Sequence, residues 1–314
     1  MTAGAIVLAN APVSYGAFEL TVGHDPNVPD GLRVLDEVAG AGYGGIDLGP
    51  VGFLGQGAEL GRRLAARGLG LAGAYLELPY SDPDALRAAI PALDDLLATF
   101  DAAGPNRFGP PPRPTLAHAG SEERRRHPGR AAGNGGGVGE TGAGLDEAAW
   151  RRFGAGLGEA VARCRDRGYE PTFHHETGTY VEAPWEIERL LDVSDIGLCL
   201  DTGHLLLGGG DPVQALRDWG SRINQVHLKD ADRSIMTAIV RDEAPVTDIW
   251  AREAFPVLGA GDLDVDGVLA GLAGIGYEGW MVVEQDSLPR TKERFDRAAA
   301  DQRTNREFLA GRGL

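Results

Sequence analysis

Side chains able to bind a metal or carry protons crowd four short segments in the second half of the chain: His174-His175-Glu176, Asp201-Thr202-Gly203-His204, His227-Leu228-Lys229-Asp230 and Glu284-Gln285-Asp286. They contain four of the seven histidines. Each segment closes an apolar run, so four consecutive strands would deliver a carboxylate or an imidazole at the same end. A single aspartate at a strand end ordinarily caps the next helix, and a single histidine ordinarily packs in a core. Four such groups in consecutive places point instead to a divalent-metal site. Side chains alternate along a strand, which puts His174 and Glu176 on one face and His175 on the other. Carboxylates and imidazoles without a thiolate suit Mn²⁺, Co²⁺, Mg²⁺ or Zn²⁺ and differ from the thiolate cage of a structural zinc.

Such a site needs a scaffold that gathers strand ends. The runs Ala5–Ala9, Gly44–Leu48, Leu71–Tyr75, Pro114–His118, Glu170–His174, Ile196–Asp201, Asn224–Leu228 and Trp280–Glu284 are mostly continuous, as strands buried on both faces of a parallel sheet should be. Helical patterns separate them at Pro29–Ala39, Ala58–Arg67, Asp84–Ala103, Leu145–Arg167, Pro184–Leu191, Pro212–Trp219 and Val265–Gly274. Asp82-Pro83 and Asp211-Pro212 read as helix caps with proline at the first helical position. Eight strands with intervening helices in 314 residues predict an α/β fold of the (β/α)8 TIM-barrel type. A doubly wound sheet is second, but no Gly-x-Gly-x-x-Gly follows the first strand. The expected organisation is one domain: a barrel over 1–288 with a Gly-rich loop at 119–144, and a C-terminal helical extension over 289–314 packed across the barrel base or on a neighbouring subunit. The loop reads first as a surface excursion and second as a lid over substrate; a further excursion spans 231–258.

Lys and Arg number 30 against 46 Asp and Glu, a net charge of −16. That charge repels phosphate backbones and anionic lipid, so no nucleic-acid or membrane partner is expected. Two cysteines, Cys164 and Cys199, make no disulfide framework. With no basic leader in Met1 to Pro12 and no long apolar run, a cytoplasmic protein is expected, with room for a homo-oligomer.

The segments LCLDTGHLLLGGGDP, INQVHLKD, FPVLGAGDLD and GYEGWMVVEQD, with APVSYGAFE and GIDLGPVGFLG nearer the start, resemble the xylose-isomerase-like sugar isomerase/epimerase superfamily, and most closely its inosose dehydratase (2-keto-myo-inositol dehydratase) branch. The likeness implies a barrel holding one divalent ion, Mn²⁺ or Co²⁺ first, through four ligands. Carried over by position, three are Asp201, His227 and Glu284. The superfamily usually has Glu where this chain has His174, so His174 is the expected fourth ligand, with Glu176 on the same face as the alternative. Apurinic endonucleases of the superfamily bind three zincs through extra histidines and aspartates. The excursion after His227 has no histidine, which argues against such a trinuclear site.

The remaining roles follow from sugar chemistry. A metal-polarised carbonyl acidifies the adjacent C–H, and a carboxylate, Glu284 or Glu176, takes that proton. Lys229 and His204 are candidates to stabilise the enolate or to protonate a leaving hydroxyl. Gln285 and Trp280 are candidate sugar contacts, as are Glu77 and Asp47 at earlier strand ends. Arg124-Arg125-Arg126 reads as a solvated cluster rather than a phosphate site. The expected activity is metal-dependent isomerisation or epimerisation of a keto-sugar or keto-cyclitol by enolisation. The alternative is a hydro-lyase, inosose dehydratase. The remote alternative is a barrel that binds sugar without chemistry.

Overall fold

The computed structural model describes residues 6–129, 144–289 and 291–314. The glycine-rich stretch from Gly133 to 143, read above as loop or lid, lies outside them. The apolar runs form nine parallel strands: β1 (Ile6–Asn10), β2 (Gly45–Ile46), β3 (Gly70–Leu71), β4 (Gly73–Leu78), β5 (Arg113–His118), β6 (Thr172–His174), β7 (Gly197–Asp201), β8 (Ile223–Leu228) and β9 (Gly279–Val283). Their hydrogen-bonded order is β3-β2-β1-β9-β8-β7-β6-β5-β4. Only Ala72 separates β3 from β4, and it closes the ring. Its N–H donates to Ile46 O on one side (2.9 Å), and its carbonyl accepts from Arg113 N on the other (3.0 Å). β3 and β4 are thus one bent strand, and the sheet is an eight-stranded TIM barrel.

The helices follow the strands in the expected alternation: α1 (Gly31–Ala41), α2 (Gly57–Ala65), α3 (Pro83–Ala89), α4 (Pro91–Ala103), α5 (Glu122–Arg126), α6 (Glu147–Asp166), α7 (Pro184–Val193), α8 (Thr202–Leu207), α9 (Pro212–Trp219), α10 (Arg233–Arg241), α11 (Asp248–Ala251), α12 (Val265–Gly274) and α13 (Lys292–Ala310). The caps form as their chemistry requires. Asp82 accepts from Asp84 and Ala85 N–H, and Asp211 from Val213 and Gln214 N–H. The single helix expected over 84–103 is two, because Pro91 has no N–H to continue the ladder and opens α4 afresh. The C-terminal helix, α13, sits in the helix layer rather than across the base. Asp296 and Arg303 pair with Arg33 and Glu37 of α1, and Arg312, just beyond its end, pairs with Asp266 of α12. It is the eighth helix of the ring.

Apolar faces of these helices pack on the barrel; Phe153 and Leu157 of α6 and Leu190 of α7 are fully buried with Leu116, Phe173 and Leu198 of the strands. A smaller cluster of Ala9, Ala11, Ala72, Trp280 and Val282 fills the barrel interior. Trp280 is near the start of β9, hence at the end of the barrel opposite the strand C-termini. Its indole needs glycines around it: a Cβ on Gly45 or Gly109 would lie 2.4 or 2.3 Å from the ring. Its Nε1 donates to Pro110 and Pro111 carbonyls. Trp280 is a floor plug, and the expectation that it contacts sugar is corrected accordingly. Among the described residues no helix is long and apolar enough to cross a membrane.

Candidate active site

The four segments converge on one cavity of about 510 Å³ at the C-terminal ends of the strands, the face on which TIM-barrel active sites lie. Asp201 ends β7 and begins α8. Its Oδ1 accepts the His204 N–H at 2.8 Å as the helix cap. Its Oδ2 lies 3.3 Å from His174 Nε2 and 3.1 Å from Lys229 Nζ, both of which line the cavity. The cap and ligand readings of this aspartate therefore fall to different oxygens. On β8, His227 Nδ1 lies 3.1 Å from Glu284 Oε2 and 3.9 Å from Asp201 Oδ2, and its Nε2 lies 3.8 Å from Asp47 Oδ2. Ligand atoms of His174, Asp201 and His227 fall within 4.8 Å of one another, and so do those of Asp47, His227 and Glu284.

Two properties of this cluster suit a divalent cation. Buried Asp47 Oδ1 and His227 Nε2 have no hydrogen-bond partner, an arrangement that is costly unless something else satisfies them. The charges are also unbalanced. Lys229 Nζ lies 3.1, 3.0 and 2.9 Å from carboxylate oxygens of Asp201, Glu284 and Asp286, so one ammonium faces three carboxylates. Burial pushes Asp201 and Glu284 up, but Lys229 and the histidines outweigh it and hold both well below the usual carboxylate range. Against their own burial, Lys229 is raised well above its ordinary value by those carboxylates, and His227 by Cys199 and Glu284. Burial carries Asp47 to about 7. The carboxylates thus hold positive charge strongly, on Lys229 and on His227.

Around this cluster stand groups placed for proton work. Lys229 follows β8 with its backbone tied to Thr202, whose Oγ1 accepts the Lys229 N–H at 2.9 Å and donates to Lys229 O at 2.8 Å. Gly203 leaves it room, since a Cβ there would lie 2.7 Å from Lys229 Cγ. His204 Nδ1 accepts the Thr177 N–H at 3.3 Å, which leaves the proton on Nε2, 3.5 Å from Asp286 Oδ2. Glu176 stands apart from the ligand cluster and accepts a hydrogen bond from Tyr75 OH on β4. Tyr75 OH also contacts Glu77 Oε1 at 3.0 Å. Burial, with Glu77 adding, lifts Glu176 to about 7 despite His204.

Residues 35–309 match the profile of the xylose isomerase-like TIM barrel family. The chain belongs to this family. Among curated relatives, the inosose dehydratase of Geobacillus kaustophilus is 34% identical over 148 residues, 46% of this chain and 48% of that one. The chain therefore spans about half the length of the curated relatives it matches. An L-ribulose 3-epimerase superposes with a TM-score of 0.64 at 17% identity, covering 97% of this chain and 93% of that one. The IolI protein, solved with a bound zinc atom, superposes at 0.64 and 15% identity, covering 96% and 98%. At these identities the superpositions carry the fold alone.

Within this family barrel the sequence-derived residues divide clearly. His174, Glu176, His204, His227, Lys229, Glu284, Asp47 and Glu77 all line the cavity, and Asp201 packs into its floor beside His174. Of the two alternatives for the fourth position, His174 joins the ligand cluster and Glu176 does not. Gln285 does not reach the cavity. Its Oε1 accepts from Gln302 and Asn305 of α13, and its N–H donates to Ser14, because its side chain points to the other side of the strand from Glu284. The same alternation applied past Glu284 picks out Asp286, which sequence reasoning passed over. Tyr75 was passed over too, though it shares parity with Glu77 two residues on. Lys229 does not pair with its neighbour Asp230, whose oxygens accept from Ala231, Gly259, Gly261 and Leu263 N–H. The arginine cluster separates: Arg126 pairs with Glu122 and Arg125 with Glu77, while Arg124 is buried between Glu182 and Glu186.

Proposed function

We propose that this chain is a divalent-metal-dependent enzyme that enolises a keto-sugar or keto-cyclitol, with isomerisation or epimerisation as its outcome. The observation that carries the reading is the convergence of His174, Asp201, His227, Glu284 and Asp47 beside a carboxylate, Glu176, that is held on the far wall by Tyr75. The first five residues would hold the ion, and IolI, of the same fold, carries zinc. When bound, a divalent ion there supplies Lewis acidity that lowers the pKa of the C–H beside a carbonyl.

The chain's own groups supply the rest. Glu176 takes the proton: it faces the cavity outside the ligand cluster, and a carboxylate near pH 7 has the basicity such a transfer needs. Glu284, held ionised by His227 and Lys229, is the weaker base and serves as ligand. Negative charge that develops on the substrate oxygens meets the Lys229 ammonium and the His204 Nε2–H. Delivery of the proton to the neighbouring carbon of the enediolate completes isomerisation, and delivery of a proton to the opposite face of the same carbon completes epimerisation.

A second reading is dehydration. His204 and Lys229, both beside Asp286, form an acid group placed to protonate a leaving hydroxyl. The partial likeness to inosose dehydratases points the same way. Metal-loaded protein incubated with a panel of inososes and ketoses in D₂O separates the outcomes. Deuterium uptake without loss of water supports the first reading, a dehydrated dione the second, and neither product refutes enolisation.

A further inference from the structure

We propose that the substrate is a neutral carbohydrate or cyclitol ring carrying an apolar substituent, which rests on a wall built by Phe18 and Trp250. This rests on the enolisation reading above and goes on to name what the rest of the cavity holds. The cavity has two unlike halves. One is the charged half formed by the ends of β6 to β9. The other is apolar: Pro12, Val13, Phe18, Leu20, Pro50 and Trp250 line it. Glu19 is the one charged side chain between Phe18 and Leu20, so a ring whose hydroxyls need hydrogen bonds on every edge finds few on that side.

Three observations support an apolar occupant there. First, the volume of about 510 Å³ falls within the range of pockets that enclose drug-sized ligands, more than one six-membered ring requires. Second, Phe18, from the segment after β1, meets Trp250 of α11 with ring centroids 6.0 Å apart and planes at 49°. Two segments far apart in sequence thus converge on one aromatic corner, and both rings remain half-buried. Third, an apolar side chain of this lining is left uncovered: Leu20 is 57% exposed. Surface apolar groups concentrated around a concave site mark a ligand surface.

The charged half sets the other condition. Among the described residues that line the cavity, Lys229 is the sole lysine or arginine, and three carboxylates already surround it. Arg125, nearby, is paired with Glu77. A phosphorylated sugar would meet carboxylates and, among the described residues that line the cavity, no unpaired guanidinium or ammonium to receive it. The substituent is therefore uncharged as well as apolar.

The test uses unreactive probes, so it does not depend on turnover. Phenyl β-D-glucopyranoside, methyl β-D-glucopyranoside and glucose 6-phosphate are titrated into the metal-loaded protein by calorimetry. The phenyl glucoside should bind about 10- to 100-fold more tightly than the methyl glucoside, the factor that burial of one aromatic ring provides. Glucose 6-phosphate should bind more weakly than either. Phe18→Ala and Trp250→Ala should each bring the phenyl-to-methyl ratio towards one. Equal affinities, no saturable phenyl glucoside binding, a ratio that survives both substitutions, or preference for the phosphate would each overturn the proposal. Failure of the D₂O experiment with this ratio intact would instead remove the enolisation reading alone.

Discussion

The barrel contains two buried ion clusters made of similar parts, and they differ in what their carboxylates face. In the first, Arg124 Nη2 lies 3.2 Å from Glu182 and 2.8 Å from Glu186. Backbone N–H groups of Gly129, Glu182 and Ala183 donate to the same carboxylates. Burial lifts Glu182 to about 7 in spite of Arg124, so a proton readily balances the charge. No residue of this triad lines the cavity. In the second, Lys229 stands among Asp201, Glu284 and Asp286, and Lys229, Glu284 and Asp286 line the cavity. The first cluster pins the segment after β5 to α7. The second gathers carboxylates at a mouth. The oxygens of the first cluster meet backbone N–H groups, whereas Glu284 and Asp286 of the second border open space.

Breaking the structural cluster should give the largest effect on stability. Arg124→Ala leaves two buried carboxylates without their cation and should cost about 3–5 kcal/mol of unfolding free energy in a denaturant titration. The folded fraction should keep its full metal content. An unchanged midpoint would erase the distinction between the clusters.

The mouth cluster should respond the other way. Lys229→Met should lower turnover by about 10²–10³-fold, as loss of an oxyanion-stabilising group does, with metal content close to wild type; because three buried carboxylates lose their cation, the melting temperature of the metal-free protein should fall as well. Turnover equal to wild type would reduce Lys229 to an ion-pair partner.

A buried imidazole near the first cluster offers a smaller test. His118 stacks on Phe153 at 5.1 Å and contacts Ser81 Oγ at 3.1 Å. Burial lowers its pKa from 6.5 to about 4. Below pH 6.5 the unfolded chain therefore takes a proton that the folded chain refuses. This histidine's contribution to stability is full above pH 6.5 and falls as the pH drops to 4, by about 3 kcal/mol at most. His118→Gln should flatten that part of the stability-pH curve, and an unchanged slope would assign the loss to other groups. Least affected should be Arg126→Ala, since its pair with Glu122 is exposed on both sides; no measurable change in melting temperature is expected.

Much of this architecture was readable because burial on both faces writes continuous apolar runs. All eight runs became strands, with ends displaced by a few residues. The bend between β3 and β4 was not readable, since it depends on Ala72 bonding to both neighbouring strands. The helix α8 was missed because TGHLLL directly follows a strand and continues its apolar run. At the site, period-two alternation separated His174 and Glu176 from His175, yet Gln285 was selected where the same rule points to Asp286. Trp280 was misplaced because residue type suggested a sugar contact, whereas its position early in β9 puts it at the floor. Tyr75 carries no ligand signature in sequence; its role comes from β4 lying across the barrel from β8.

The central claim is that the cluster joining Asp201, His227 and Glu284 exists to hold one divalent ion. Elemental analysis after dialysis against Mn²⁺, on wild type and on Asp201→Ala and Glu284→Ala, tests it most directly, with circular dichroism confirming that each variant is folded. The account predicts one equivalent in wild type and a large loss in both variants. A wild type that binds none, or two folded variants that keep the full equivalent, would contradict it.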